Sequence, residues 1–219
     1  MNFFIVNCLI IFNLALFLPN NINPNAVSIE SKNINVYKDW VKIDANYPQI
    51  DGMADTAFQD KLNKDIKNKI DVFAFNIEKQ AKDNYDALKK TGNFHYEGMV
   101  SYKYNINGAI LSIIMEYYSY LGGVHGAALR ESINTDTKKG SEMQLKDLFK
   151  DKANYRQYIL KNINDEIAKN PENYFSPKLD TFNESNFYLD ENGNLVIYFN
   201  QYEIAPYVAG IVEFKMPLN

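Results

Sequence analysis

Few residues in this sequence have both the type and the spacing that chemistry requires, and the first of them is His125. It stands among glycines in the segment Gly122-Gly123-Val124-His125-Gly126, directly after a run of apolar residues. A glycine-rich loop can approach a ligand closely and offer it backbone N–H groups. The alternative is that the glycines permit a tight corner, in which His125 hydrogen-bonds to the backbone. The other histidine, His95, lies on the polar face of a predicted strand, which is typical of a surface residue.

Glu116 is the best candidate for acid–base chemistry, because it lies on a predicted central strand beside Tyr118. Hydrolysis of a glycan needs two carboxyl groups that face the scissile bond, and any two carboxylates of a chain can meet in the folded state. A buried glutamate on a strand is also a common structural partner for a lysine or a tyrosine. Both roles of Glu116 stay open at this point, and we expect no enzymatic activity.

Other chemistries are disfavoured by the composition of the chain. Its 219 residues include two histidines and one cysteine, too few for a zinc site with three or four converging ligands. The sequence has no phosphate-cradling glycine loop, no nucleophile elbow and no zinc-protease helix motif. A net charge of −4 and a pI of about 5.3 argue against binding to nucleic acid. We therefore expect no cofactor, no metal and no nucleic-acid partner.

The N-terminal segment predicts export to an extracytoplasmic location. No Lys, Arg, Asp or Glu precedes Glu30, and Phe3 to Leu18 form a run of sixteen mostly apolar residues. This run is shorter than the roughly 20 residues of a membrane-spanning helix and suits the apolar core of a signal peptide. We interpret residues 1–26 as a signal peptide, with a membrane anchor and a buried helix as alternatives. The single cysteine, Cys8, lies in this run, so we expect no disulfide in the exported part.

The spacing of apolar residues predicts the elements of the first half. Ile34 to Ile43 alternates as a strand does, and Tyr47 to Gly52 has the composition of a turn. From 54 to 88, apolar residues recur every three or four positions, which predicts a long amphipathic helix. At about 1.5 Å per residue such a helix would exceed about 50 Å. We therefore expect a bend or a frayed end near Asp83-Asn84 and an end at Thr91-Gly92.

Alternation with a period of two follows and predicts a hairpin that turns at Asn107-Gly108. Its second strand, 109–120, is apolar on both faces, which is typical of a central strand that is covered twice. The remaining predicted elements are a strand through about Thr135, a turn at 136–140, a helical turn at 145–149, a helix near 155–167, a hairpin at Asn192-Gly193 and a strand at 211–216. The predicted fold is α+β, an antiparallel sheet with one long and one shorter amphipathic helix packed on it.

Two motifs carry a resemblance to a known family. The first begins with Tyr117-Tyr118-Ser119-Tyr120-Leu121-Gly122-Gly123-Val124-His125-Gly126 and continues with Asn134, Asp136, Gly140 and the segment from Leu145 to Phe149. The second is the segment from Tyr198 to Gly210, YFNQYEIAPYVAG. Both resemble the hallmarks of domain-of-unknown-function family 3298, with Leu121 and Val124 in place of the family's usual Thr and Ala.

The region ahead of these motifs, marked by Tyr47-Pro48-Gln49-Ile50, is similar to the companion family 4163. The resemblance divides the chain into residues 28–92, which resemble family 4163, and residues 93–219, which resemble family 3298, packed as one unit. Paired domains of this kind resemble the extracytoplasmic part of RsiV-type anti-sigma factors, which recognise lysozyme, and the accessory segment of some peptidoglycan deacetylases. Since only the apolar stretch precedes these regions and no deacetylase domain follows them, we expect neither sigma-factor inhibition nor deacetylation from this chain.

The resemblance implies an exported cell-envelope binding module without catalysis, whose ligand is a protein such as lysozyme or a peptidoglycan fragment. Glycines allow close backbone approach, and exposed tyrosines give rigid contact area. An acidic domain also attracts a basic partner. The alternatives are that both motifs only pack internally, or that the chain is a cell-wall glycan hydrolase that uses Glu116. The predicted ligand-binding residues are Tyr120, Gly122, Gly123, His125, Gly126, Tyr202, Glu203, Pro206 and Tyr207.

Overall fold

The computed structural model describes residues 27–90 and 95–218, so the predicted signal peptide (1–26) and the predicted helix end at Thr91-Gly92 lie outside the described residues. The strands are β1 (Ser28–Lys38), β2 (Val41–Asp51), β3 (Tyr96–Asn107), β4 (Ile110–Tyr120), β5 (Ala127–Asp136), β6 (Ser141–Glu142), β7 (Phe187–Leu189), β8 (Leu195–Phe199) and β9 (Val212–Met216). The helices are α1 (Thr56–Asp83), α2 (Tyr85–Lys90) and α3 (Tyr155–Ile167), and 3-10 turns span Leu145–Leu148, Pro171–Asn173 and Tyr207–Ala209.

The strands form two sheets, and the α+β class is confirmed. Six strands pair in the order β1-β2-β3-β4-β5-β6, and three pair in the order β7-β8-β9. One pair departs from the expected antiparallel pattern, because β2 and β3 run parallel over Val41–Ala45. The long helix lies between β2 and β3 in the chain. It brings the chain back to the end of the sheet where β2 begins, so that β3 can run parallel to β2.

The prediction for residues 34–52 was wrong in its boundaries. These residues belong to a hairpin of β1 and β2 that turns at Asp39-Trp40, and the segment expected to be a turn is the second half of β2. Pro48 suggested the turn, yet it pairs with Ser31 inside the hairpin. It lies beyond the part of β2 that pairs with β3, where a missing N–H group costs no ladder hydrogen bond on that side.

The long helix and its interruption near Asp83-Asn84 are confirmed. Asp55 caps α1 by accepting a hydrogen bond from the Phe58 N–H at 3.0 Å, and the helix ends at Asn84, after which the short helix α2 begins. Its buried stripe packs on β2 and β3. The members of the stripe recur at the predicted spacing and include Leu62, Ile66, Ile70, Ala74, Ile77 and Ala81.

Strand β4 is covered on both faces, as its two-sided apolar pattern predicts. Leu111, Ile113 and Met115 belong to the core under α1, whereas Ile114 packs against the second sheet. A separate core lies under α3 and includes Ile159. The six-stranded sheet is therefore held between α1 on one face and the three-stranded sheet on the other.

Buried polar side chains join the two sheets. The Ser112 hydroxyl donates to Asn134 Oδ1 at 2.7 Å, and it accepts from the Leu189 N–H at 3.1 Å. The Asn134 amide donates to the carbonyl of Phe187 at 2.8 Å. Asn105 adds a bond to the Leu189 carbonyl at 2.9 Å. These bonds pair backbone groups of β7 that have no strand beside them on that side.

Asp190 fixes the hairpin between β7 and β8. Its Oδ1 accepts from the N–H groups of Asn192 and Asn194, each at 2.9 Å, and its carboxylate pairs with the Lys215 ammonium on β9. Burial opposes the charge of this carboxylate, but the Lys215 ammonium and the N–H groups outweigh it and lower the pKa of Asp190 to about 2.

Removal of the inter-sheet amide should destabilise the fold. We expect Asn134→Ala to lower the free energy of unfolding by about 2–3 kcal/mol, because the buried Phe187 carbonyl is left without a partner. Urea denaturation measures this value. The matched control is Asn76→Ala on the exposed face of α1, which we expect to change stability by less than about 0.5 kcal/mol. Equal effects of the two substitutions would contradict the role given to Asn134.

The charge of Asp190 should stabilise the protein only above acidic pH. A folded-state pKa of about 2 against an ordinary 3.8 means that this contribution is complete above about pH 4 and is lost as the pH falls towards 2. Asp190→Asn keeps an acceptor for the two N–H groups, so we expect a loss of about 2 kcal/mol at neutral pH and no difference from wild type near pH 2. Urea titrations across this range test it, and a pH-independent difference would contradict it.

Candidate ligand-binding site

The structure brings the two sequence motifs together at one end of the six-stranded sheet. We call residues 121–126 the glycine loop and residues 200–210 the tyrosine loop. The Tyr207 hydroxyl donates to the Gly126 carbonyl at 3.1 Å, and the Tyr207 ring stacks on His125 with centroids 3.9 Å apart. The two loops therefore form one continuous surface.

His125 makes the backbone contact that the packing alternative predicts. Its Nδ1 lies 3.2 Å from the Gly126 carbonyl oxygen. The same ring is also the platform for Tyr207, so His125 both closes the corner of the glycine loop and supports the neighbouring loop. His95 lies elsewhere, paired with Glu97 at 2.8 Å and about half-exposed, as expected for a surface residue.

The positions of the glycine loop favour glycine for different structural reasons. Gly122 and Gly123 have φ values of +81° and +131°, which side-chain-bearing residues rarely adopt. A Cβ on Gly126 would lie 2.4 Å from the far end of the Tyr118 ring, so a larger residue there would require that ring to move. The Tyr120 hydroxyl donates to the Gly123 carbonyl at 3.0 Å and holds the loop to the end of β4.

Tyr202 has a left-handed backbone conformation that residues with a side chain rarely adopt. It is the one residue other than glycine with positive φ there, at +66°. Its side chain is nevertheless 56 % exposed, with the ring 5.7 Å from that of Tyr207. The turn around it is closed by Glu203, whose carboxylate accepts from the Asn200 N–H at 2.7 Å. A strained residue with an exposed ring is typical of a binding surface rather than of packing.

The tips of both loops carry exposed apolar side chains. Val124 is 99 % exposed and Val208 is 92 % exposed, and Leu121 is exposed as well. Pro206 is exposed at the start of the 3-10 turn, whereas the preceding Ile204 is buried in the core under α3. Leu121, Val124 and Val208 are not among the predicted ligand-binding residues. Their places next to the glycines and tyrosines of the two motifs were a signal that could have found them.

The tyrosine loop is fastened to β5 by two amide side chains. Asn200 Oδ1 accepts from the Arg130 N–H at 2.7 Å, and Gln201 Oε1 accepts from the Ala128 N–H at 3.1 Å. Sequence reasoning missed both residues, because their role depends on which strand forms an edge of the sheet.

The Arg130 guanidinium lies directly beneath this attachment and is buried between the two sheets. Its Nε donates to Glu116 at 3.1 Å, it pairs with Glu213 on β9, and it lies 5.5 Å from the Tyr198 ring. Burial opposes the charge of Arg130, but the two carboxylates raise its pKa. Glu116 is therefore one half of an ion pair, with an arginine rather than the lysine or tyrosine considered above.

Three further findings bear on function. In residues 27–90 and 95–218, no three His, Cys, Asp or Glu side chains are grouped so that they could hold a metal. Within the same described ranges, no helix has the length and apolar character to span a membrane. A cleft of about 750 Å³, lined by both polar and apolar side chains, lies apart from the loops, between α1 and the segment 142–145.

Comparison with family models identifies two regions. Residues 34–128 match the family described as Deacetylase PdaC, and residues 146–219 match the Protein of unknown function DUF3298. The glycine loop lies in the first region and the tyrosine loop in the second. The paired loops are thus one of the places where the two regions meet, and the buried bonds of Ser112 and Asn105 to Leu189 are another.

Two proteins of Bacillus subtilis (strain 168) are similar to the chain. Anti-sigma-V factor RsiV is 26 % identical in an alignment 236 positions long. The alignment covers 90 % of this chain and 75 % of RsiV. The peptidoglycan-N-acetylmuramic acid deacetylase PdaC is 27 % identical over 104 residues, which cover 43 % of this chain and 22 % of the deacetylase. The match therefore spans about a fifth of the deacetylase.

Two solved structures share the fold. A DUF3298 family member from Bacteroides fragilis superposes with a TM-score of 0.70 at 19 % identity, covering 89 % of this chain and 91 % of the other. A DUF3298 family protein from Pseudomonas aeruginosa gives 0.59 at 12 % identity, with the same coverage. The family matches bear out the resemblance drawn from the sequence: residues 34–128 (the PdaC region) match the PdaC model and include the glycine loop, and residues 146–219 (the DUF3298 region) match the DUF3298 model and include the tyrosine loop.

Proposed function

We propose that this protein is an exported, extracytoplasmic binding module that recognises a protein ligand through the paired glycine and tyrosine loops, with lysozyme as the first candidate. The observation that carries the proposal is Tyr202, whose ring is exposed although its backbone is held in the left-handed region. Such strain persists only where the surroundings impose it, and it is concentrated at functional sites.

The chemistry of the surface supports a protein ligand. Val124 is exposed on the glycine loop, and Val208 and Tyr202 are exposed on the tyrosine loop, so the paired loops present apolar and aromatic side chains to solvent. Tyrosine adds large contact area at a low cost in conformational entropy, and apolar tips gain free energy when a partner removes them from water. A purely structural loop has no need of side chains that are more than nine-tenths exposed.

The net charge of the chain and the similar proteins support lysozyme as the candidate ligand. The chain has a net charge of −4, which speeds the association of a basic protein such as lysozyme. The family resemblance implies lysozyme recognition. One relative is named as an anti-sigma factor and the other as a peptidoglycan deacetylase, and the second name supports a role at the cell wall.

A peptidoglycan fragment is the second candidate ligand, because the neighbouring rings of Tyr202 and Tyr207 could stack on sugar rings. Hydrolysis of such a glycan by Glu116 has less support. A general acid must carry a proton that it can release, whereas the Glu116 carboxylate is bound by the Arg130 guanidinium. We therefore propose binding without catalysis.

Calorimetric titration with hen egg-white lysozyme tests the candidate. Residues 27–219 contain every helix and strand described above, and we expect them to bind lysozyme saturably and more weakly as salt is raised. Saturable binding at low and at moderate salt would support the assignment as a soluble lysozyme receptor or inhibitor. A flat trace at low and at moderate salt would overturn the lysozyme assignment, and titration with muropeptides would then test the glycan.

Substitution of Tyr202 separates binding from packing. Tyr202→Gly and Tyr202→Ala both remove the ring, so we expect each to weaken lysozyme binding at least tenfold. Glycine is free of the steric cost of the left-handed region, so Tyr202→Gly should be about 1 kcal/mol more stable than Tyr202→Ala. Tyr104→Ala is the control, an exposed tyrosine on β3 near the opposite end of the sheet. Unchanged affinity in both Tyr202 variants would contradict a contact role.

A further inference from the structure

We propose that Asn200 and Gln201 are positioning residues, whose side chains take the place of a neighbouring strand at the edge of β5 and so set the tyrosine loop against the glycine loop. This inference rests on the proposed function, in which the two loops form the binding surface. Neither residue is among those predicted to contact the ligand.

The edge of β5 is where these side chains are needed. Strand β6 pairs with β5 at Thr135 and Asp136 only, so most of the outer edge of β5 has no strand beside it. An edge of this kind presents unpaired N–H and C=O groups, which proteins cover or block. On alternate residues of an edge strand these groups face outward, and Ala128 and Arg130 are such a pair.

Asn200 reproduces the hydrogen bonds of a strand residue. Its Oδ1 accepts from the Arg130 N–H at 2.7 Å, and its Nδ2 donates to the Arg130 carbonyl at 3.3 Å. An amide side chain carries one acceptor and two donors, so it can satisfy both backbone groups of one residue. Arg130 is also the residue whose guanidinium joins the two sheets, which makes it a rigid attachment point.

Gln201 continues the arrangement and links β5 to Tyr207, farther along the tyrosine loop. Its Oε1 accepts from the Ala128 N–H at 3.1 Å, while its Nε2 donates to the Tyr207 carbonyl at 3.4 Å. Ala128 is two residues beyond Gly126, to which the Tyr207 hydroxyl is bonded. One glutamine therefore fixes the distance between the strand that follows the glycine loop and the residue that stacks on His125.

These contacts also explain how Tyr202 is kept in its strained conformation. The two residues before it are tied to β5 by their side chains, and Glu203 after it holds the Asn200 N–H. With both flanks fixed, the chain must reverse at Tyr202, and the ring is presented to solvent. The positioning residues thus act on the ligand through Tyr202 and Tyr207.

Two variants test the inference in residues 27–219. Asn200→Ala removes both bonds to Arg130, and we expect the Arg130 amide proton to exchange with solvent at least tenfold faster. Gln201→Glu keeps the acceptor for the Ala128 N–H but loses the donor for the Tyr207 carbonyl. We expect the exchange of the Ala128 amide and the melting temperature to stay unchanged there, while lysozyme affinity falls at least fivefold. Added negative charge alone would raise affinity for a basic ligand.

Matched controls are Asn76→Ala and Gln80→Glu on the exposed face of α1. We expect neither to speed exchange of the Arg130 amide, Asn76→Ala to leave lysozyme affinity unchanged, and Gln80→Glu, which adds the same charge as Gln201→Glu, not to lower it. Unchanged Arg130 exchange in Asn200→Ala, or full affinity in Gln201→Glu, would overturn the inference. If wild type itself fails to bind lysozyme, the proposed ligand is wrong. The Cα chemical shift of Tyr202 then decides the positioning role: a shift that leaves the left-handed range in Asn200→Ala supports it, and an unchanged shift refutes it.

Discussion

The burial of Arg130 between the two sheets is the constraint on which the rest of the binding end depends. Its guanidinium pairs with Glu116 on β4 and with Glu213 on β9, and its backbone is bonded to Asn200. A guanidinium buried with one carboxylate missing would be costly, so the two sheets and the tyrosine loop must take up their positions together. Burial opposes the charge of Glu213, but the Tyr188 hydroxyl and Arg130 outweigh it and lower its pKa, which keeps the pair ionised.

The surface above Arg130 is assembled from distant parts of the chain. The glycine loop follows a central strand of the PdaC region, and the tyrosine loop follows a strand of the DUF3298 region. Their contact through His125 and Tyr207 means that neither region alone presents the complete surface. The attachment of Asn200 and Gln201 to β5 also gives the tyrosine loop a rigid base, which helps to hold Tyr202 in the left-handed region.

Sequence reasoning succeeded where local periodicity decides the structure. The stripe of α1, its interruption near Asn84 and the two-sided burial of β4 follow from apolar spacing alone. It failed where the structure depends on the pairing of strands that are distant in the sequence. Pro48 suggested a turn because its place in a hairpin with β1 is invisible locally. The predicted site residues Gly126, His125, Tyr202 and Tyr207 lie together, and their role in binding stays a prediction, whereas Asn200 has meaning only once β5 is known to be an edge.

The central claim is that one surface, made by both loops, meets the ligand. Amide chemical-shift mapping of residues 27–219 on addition of lysozyme tests it most directly. The account predicts that the largest changes fall in residues 120–126 and 202–209 together, with little change in the cleft between α1 and residues 142–145. Changes centred on that cleft, or confined to one loop, would contradict the account.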